Sequence, residues 1–230
     1  MSRKERSALF TGMLLAALLG GVTAVQAQLP DPKPDPFAVS VGVSAVFPMG
    51  ALADQDPLGN TYYATSGAAL RQRFSYAPFS SLGLFAEVAF PVFGVDVQAV
   101  QRDFASDPPV VDGRNDIAAW SGGIRWRGAG SWLRGIYAEV SMGWYRQQLE
   151  LEQEGNDPQQ ETYQWMLGGE AAAGLILPLG SAFALDVAAT FAQYPEQAHR
   201  SDASGSWIEK WTNQWWGLRF LAVLTFGGGG

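Results

Sequence analysis

From Phe37 the chain settles into a two-residue rhythm. Phe37, Val39, Val41, Val43, Ala45 and Phe47 share one face, and Ala38, Ser40, Gly42 and Ser44 share the other. Alternation of this kind marks a strand that is apolar on one side only. The first such segment is 37–47, and seven more follow at 63–76, 82–100, 117–127, 133–147, 162–177, 183–194 and 211–226. The third changes parity within itself. Leu82, Leu84, Ala86, Val88 and Phe90 share a face as far as Pro91, after which Phe93, Val95, Val97 and Ala99 do so. One extra residue shifts parity in this way, so the pattern predicts a β-bulge near Pro91–Phe93.

The connections alternate in length. Short turns near Pro78, Gly128 and Pro178 follow the second, fourth and sixth segments. Long polar links at 48–62, 101–116, 148–161 and 195–210 follow the first, third, fifth and seventh. Short turns at one end and long loops at the other are the asymmetry of a transmembrane β-barrel. A soluble sandwich also alternates, and the chemistry of the second face separates the two. Here that face is mostly Gly, Ala and Ser, which suits a narrow, crowded interior better than a solvated surface.

Isolated charges interrupt the small-residue face. Arg71, Arg73, Arg125, Arg127 and Arg219 stand against Glu87, Asp96, Glu139, Glu170 and Asp186, five of each sign. Unpaired, each would cost several kcal/mol inside a barrel, so they are expected to pair across the lumen. The basic members are all arginine, whose planar fork suits multidentate pairing.

The first residues add an export signal. Arg3, Lys4 and Arg6 precede an apolar run over 9–25, and Val25-Gln26-Ala27 is a small-x-small site, which predicts a signal peptide cleaved after Ala27. Residues 28–36 are proline-rich and predict an extended periplasmic tether. No cysteine is present, so a disulfide scaffold and a lipid-modified cysteine are both excluded. The chain is 47% hydrophobic and 13% aromatic, with nine Trp. Beyond residue 27 no apolar run reaches the roughly 20 residues of a membrane helix. A lipid-facing barrel wall accounts for both facts. The net charge of −7 argues against a nucleic-acid partner.

With these segments laid out, residues 37–226 resemble the small eight-stranded outer-membrane barrels, the OmpX/OmpA-like and opacity-type family. The resemblance rests on the strand count, the hairpin Gly-Leu-Ile-Leu-Pro-Leu-Gly-Ser at 174–181, and the last segment, Trp-Trp-Gly-Leu-Arg-Phe-Leu-Ala-Val-Leu-Thr-Phe at 215–226. It implies an all-β, up-and-down antiparallel barrel in the bacterial outer membrane. It also implies a terminal aromatic read by the barrel assembly machinery, a role that falls on Phe226; the four glycines after it, 227–230, depart from the family pattern. Outer-membrane lipid, lipopolysaccharide and periplasmic chaperones are the partners it implies.

Residues that could carry chemistry are few. His199 is the only histidine, in Ala-His-Arg-Ser-Asp, and reads as a solvated loop residue, not as a catalytic base. Cys/His metal spacing is absent, and no cofactor is expected. Glu150, Glu152, Glu154, Asp157 and Glu161 form an acidic patch that reads as a solvated loop before it reads as a cation site. The expectation is a non-enzymatic structural or surface-interaction barrel with a filled lumen, whose four loops are where an extracellular ligand would be met. A narrow diffusion channel and a lipid-modifying barrel enzyme are the alternatives.

Overall fold

The computed structural model describes residues 37–50, 52–53, 63–104, 109–128, 135–202 and 205–226, with backbone alone for 103–104 and 196–211. The expected signal peptide, tether and glycine tail lie outside these residues.

The alternating segments form strands β1 (Phe37–Gly50), β2 (Ala64–Phe79), β3 (Leu82–Val95), β4 (Val110–Arg127), β5 (Ile136–Gln153), β6 (Gln159–Thr162), β7 (Met166–Pro178), β8 (Phe183–Asp202) and β9 (Gly205–Phe226). A short helix, α1 (Val97–Phe104), lies between β3 and β4. Every strand pairs antiparallel with its neighbours, and β1 pairs with β9 from Phe37↔Phe226 to Gly50↔Asn213, which closes the sheet. Eight strands make the barrel; β6 only extends the outer part of β5. Closure leaves no open edge in the wall, the condition for strands to cross lipid.

The size of the barrel follows from its register. Ala38 leads through its partners Ser75, Phe85, Gly123, Ser141, Glu170, Ala192 and Trp215 back to β1 at Pro48, ten positions further along. Eight strands with that stagger tilt by about 40°. The interior of such a barrel is one that side chains fill.

The two faces are inverted relative to a soluble protein. Val41, Leu70 and Met142 are more than half exposed, whereas Arg71, Arg73 and Arg219 are at most 1% exposed. On β1 the outward apolar run from Phe37 to Phe47 rises roughly 25 Å along the barrel axis, about the height of a lipid-facing band. Aromatic residues mark both rims of the band. Phe37, Tyr76, Trp126, Phe183 and Phe226 stand at the end with short turns, and Trp120, Trp144, Phe191 and Trp216 toward the loops. Among the described residues no helix is long and apolar enough to cross a membrane.

Three expectations need correction. No bulge forms at Pro91–Phe93, because the β2 and β4 registers continue through it without insertion. Pro91, which has no N–H to give, instead interrupts the ladder to β4 between Ala89↔Ala119 and Val92↔Asp116. Phe93 and Val95 therefore keep the lumen parity of Glu87 and are buried inside. The third segment also ends at Val95, and residues 97–100 are helical. Finally, the long links at 148–161 and 195–210 are largely strand, and the one at 101–116 is helical to Phe104 and strand from Val110. β4 and β5 extend to Val110 and Gln153, and β8 and β9 pair as far as Asp202↔Gly205. The only histidine, His199, belongs to β8, in register with Ile208.

Candidate functional site: the ion-paired lumen

Inward positions on seven strands bring charge to one level of the barrel. β2 supplies Arg71 and Arg73, β3 Glu87, β4 Arg125, β5 Glu139, β7 Glu170, β8 Asp186 and β9 Arg219. β1 contributes Ser40, Gly42 and Ser44 on the same side, small residues that leave room for long side chains.

The pairing is multidentate. The two Nη atoms of Arg71 donate to Glu170 Oε1 and Oε2 at 2.8 and 2.9 Å, and Nη1 also donates to Glu87 Oε1 at 2.6 Å. Arg73 spans Glu87 Oε2 through Nε at 2.8 Å and both oxygens of Glu139 at 2.9 Å. Arg125 joins Glu139 at 2.9 Å to Asp186 at 2.7 Å. Arg219 donates to Glu139 Oε1 at 2.6 Å and to the Tyr137 hydroxyl at 2.8 Å, and that hydroxyl donates to Asp186. Glu139 thus receives three guanidinium groups and is the hub. Four arginines meet four carboxylates, so the cluster carries no net charge. Charge-assisted bonds in this number offset the desolvation that an isolated buried ion would suffer.

Aromatic rings back the guanidinium planes. The Arg73 guanidinium carbon lies 4.1 Å from the Phe85 ring centre, and that of Arg125 lies 4.0 Å from the Tyr137 ring centre. Both rings lie across glycines on the neighbouring strand. A Cβ on Gly123 would stand 2.5 Å from Phe85 Cζ, and one on Gly174 would stand 2.6 Å from the Tyr137 hydroxyl oxygen. The small residues of the lumen face are therefore seats for these rings.

Eight of the ten charges expected in the lumen meet in this cluster; Asp96 and Arg127 do not. Asp96 lies beyond the end of β3, exposed, where its Oδ1 accepts from the backbone N–H of Ala99 at 3.0 Å and caps α1. The absence of a bulge accounts for this: at unbroken parity an even-numbered residue of the third segment faces outward. Arg127 faces the lumen one inward position nearer the turn end than Arg125, and its Nε has no hydrogen-bond partner. Phe226 ends the outward row of β9 beside its partner Phe37.

Toward the loops the lumen changes character. Tyr145 and Tyr194 stack with ring centres 5.3 Å apart, and Trp215 meets both edge-on at 5.9 Å. Phe93 packs on Trp215, within a buried cluster that includes Val46, Ala69, Ile117 and Ala192. Beyond this aromatic tier lie three fully buried amides, Asn115, Gln147 and Asn213. Gln147 Oε1 accepts from the Tyr194 hydroxyl at 2.6 Å and from Asn213 Nδ2 at 2.9 Å. Further out, on the β2–β5 side, Ala99 and Val100 of α1 pack with Tyr63, Val95 and Val110. Sequence reasoning singled out none of these aromatic and amide residues as site residues. Their signal was the parity change at Phe93, which marks where the lumen turns apolar.

At the loop-side rim of the outer face, the Arg146 guanidinium carbon lies 5.9 Å from the Trp165 ring centre. Arg114 bridges Asp116 at 2.9 Å and Glu150 at 3.3 Å. Among the described residues no group of His, Asp and Glu is arranged to hold a metal ion.

No family model matches the chain, and no curated protein matches it. Solved structures do. Neisserial surface protein A is 9% identical, with 83% of this chain and 97% of that chain covered and a TM-score of 0.50. The outer membrane protein OprG from Pseudomonas aeruginosa is 12% identical, with 84% and 98% covered and a TM-score of 0.49. The attachment invasion locus protein Ail of Yersinia pestis is 12% identical, with 83% and 99% covered and a TM-score of 0.47. The closed register, the inverted faces and the likeness to neisserial surface protein A agree: this chain has the fold of the small eight-stranded outer-membrane β-barrels.

Proposed function

We propose that the protein is a structural and surface-interaction barrel of the bacterial outer membrane, with its interior filled and its outer hairpins exposed. The filled lumen carries this reading. The neutral ion cluster, the aromatic tier and the α1 cluster succeed one another along the axis and leave side chains where a pore would need water.

The loop end supplies the interaction surface. β8 has β7 as a partner only as far as Gln193↔Gly169, and β9 has β1 only as far as Asn213↔Gly50. Beyond these pairs the β8–β9 hairpin continues for nine more residues on β8 and eight on β9, whose outer edges have no strand partner among the described residues. Unpaired backbone groups on such edges are templates for a partner strand. Arg146 against Trp165, at the level of the outer-leaflet headgroups, suits contact with lipopolysaccharide phosphates. The proposed role is non-enzymatic.

The test compares reconstituted intact protein with a variant in which 196–211 is replaced by a tight turn. Extended β-prone peptides are expected to bind the intact barrel and to lose binding to the trimmed one, which still migrates as a folded, heat-modifiable band. Equal binding by the two forms, or none by the intact form, contradicts the interaction role.

A further inference from the structure

The amide tier at the loop end carries more hydrogen-bonding capacity than its neighbours use. Asn115 is fully buried, and neither its Nδ2 nor its Oδ1 has a partner. Gln147 accepts two hydrogen bonds through Oε1, yet its Nε2 has none. Asn213 donates to Gln147, yet its Oδ1 has none. The Trp215 indole Nε1, on a side chain 1% exposed, is also without a partner.

The three amides stand at one level of the barrel, and Trp215 stands one inward position below them. Gln147 and Asn213 are in direct contact across the lumen. Trp215 is the next inward residue from Asn213 on β9. Asn115 is the next inward residue from Ile117, the cross-strand partner of Gln147. The floor is the Tyr145–Tyr194–Trp215 stack, and the α1 cluster lies further out on the β2–β5 side.

A buried amide or indole N–H left unsatisfied costs on the order of 1–3 kcal/mol. Five such atoms at two adjoining levels therefore call for a guest, and their chemistry specifies it. Three are donors (Asn115 Nδ2, Gln147 Nε2 and Trp215 Nε1) and two are acceptors (Asn115 Oδ1 and Asn213 Oδ1). The tier itself contributes no charged side chain. The guest must donate and accept, and it must be uncharged.

We propose that the Asn115–Gln147–Asn213–Trp215 tier is a binding site for uncharged hydrogen-bonding molecules, either ordered water or a small hydroxylated solute admitted by movement of α1. Water commonly occupies such positions, making about three hydrogen bonds to buried polar groups. The site goes beyond the filled-barrel reading without depending on the hairpin: the aromatic floor separates it from the ion cluster, so it takes up a guest without opening a path through the barrel.

The experiment is solution NMR on the refolded full chain in micelles, reading cross-relaxation from the Trp215 indole proton and the Asn115 and Gln147 side-chain amides. Cross-peaks to water that persist when glycerol is added identify water as the guest. Cross-peaks that transfer to glycerol protons identify a solute site. An Asn115→Leu variant that still shows heat-modifiable folding is expected to lose most of this intensity at Gln147 and Trp215. The wild-type measurement decides by itself. Absence of cross-peaks to water and to glycerol at all three side chains, with folded spectra, overturns the proposal.

Discussion

The two halves of the lumen solve the same problem with opposite chemistry. Near the turns, Arg71, Arg73, Arg125 and Arg219 interlock with Glu87, Glu139, Glu170 and Asp186. Near the loops, Tyr145, Tyr194, Trp215 and Phe93 fill the same cross-section with rings. The ion tier is directional: each carboxylate holds several strands in register, and losing one leaves cations unpaired. The aromatic tier is space-filling, and losing one ring leaves a void but no unpaired charge.

That difference ranks the expected consequences of substitution. Glu139→Ala strands parts of Arg73, Arg125 and Arg219 together and should cost the most, about 4 kcal/mol in denaturant unfolding of the reconstituted barrel. Trp215→Ala should cost about 3 kcal/mol in the same assay by opening a cavity beside the stacked tyrosines. If Trp215→Ala proved the more damaging of the two, the ion cluster would not be the principal clamp. Gln72 tests the outer face, where it sits between Val41 and Val88 in the apolar band. Gln72→Leu should raise stability by about 1 kcal/mol, since it removes an amide from a lipid-facing site; a loss would place Gln72 in a contact with another molecule. Glu150→Gln, in the exposed pair with Arg114, should change stability by less than about 0.5 kcal/mol. A larger effect there would mean that the β4–β5 extension helps to hold the barrel.

The same contrast explains what could be read from the sequence. Strands facing lipid must be apolar on one side, so Phe37–Phe47 and Trp216–Phe226 announce themselves by period. Eight of the lumen charges were legible because each interrupts a face otherwise built of Gly, Ala and Ser. The aromatic tier was not legible as a site. At Phe93 the apolar residues move to the lumen side, and a rule that assigns apolar residues to the outside reads that move as a bulge. The loop-side extensions were missed for the opposite reason. Beyond the lipid, residues such as Pro195–Asp202 need no apolar face, so strand formation there leaves no alternation to detect. α1 spans only Val97–Phe104, too short for its period to stand out from the strand before it.

The central claim is that side chains close the lumen through the ion cluster and the aromatic tier. Planar-bilayer conductance of the refolded full chain tests it most directly. A silent bilayer is expected, with a folded, heat-modifiable band from the same preparation as the control. Steady conductance steps whose size changes with Arg125→Ala or Glu139→Gln would contradict a filled barrel and make the ion cluster the lining of a channel.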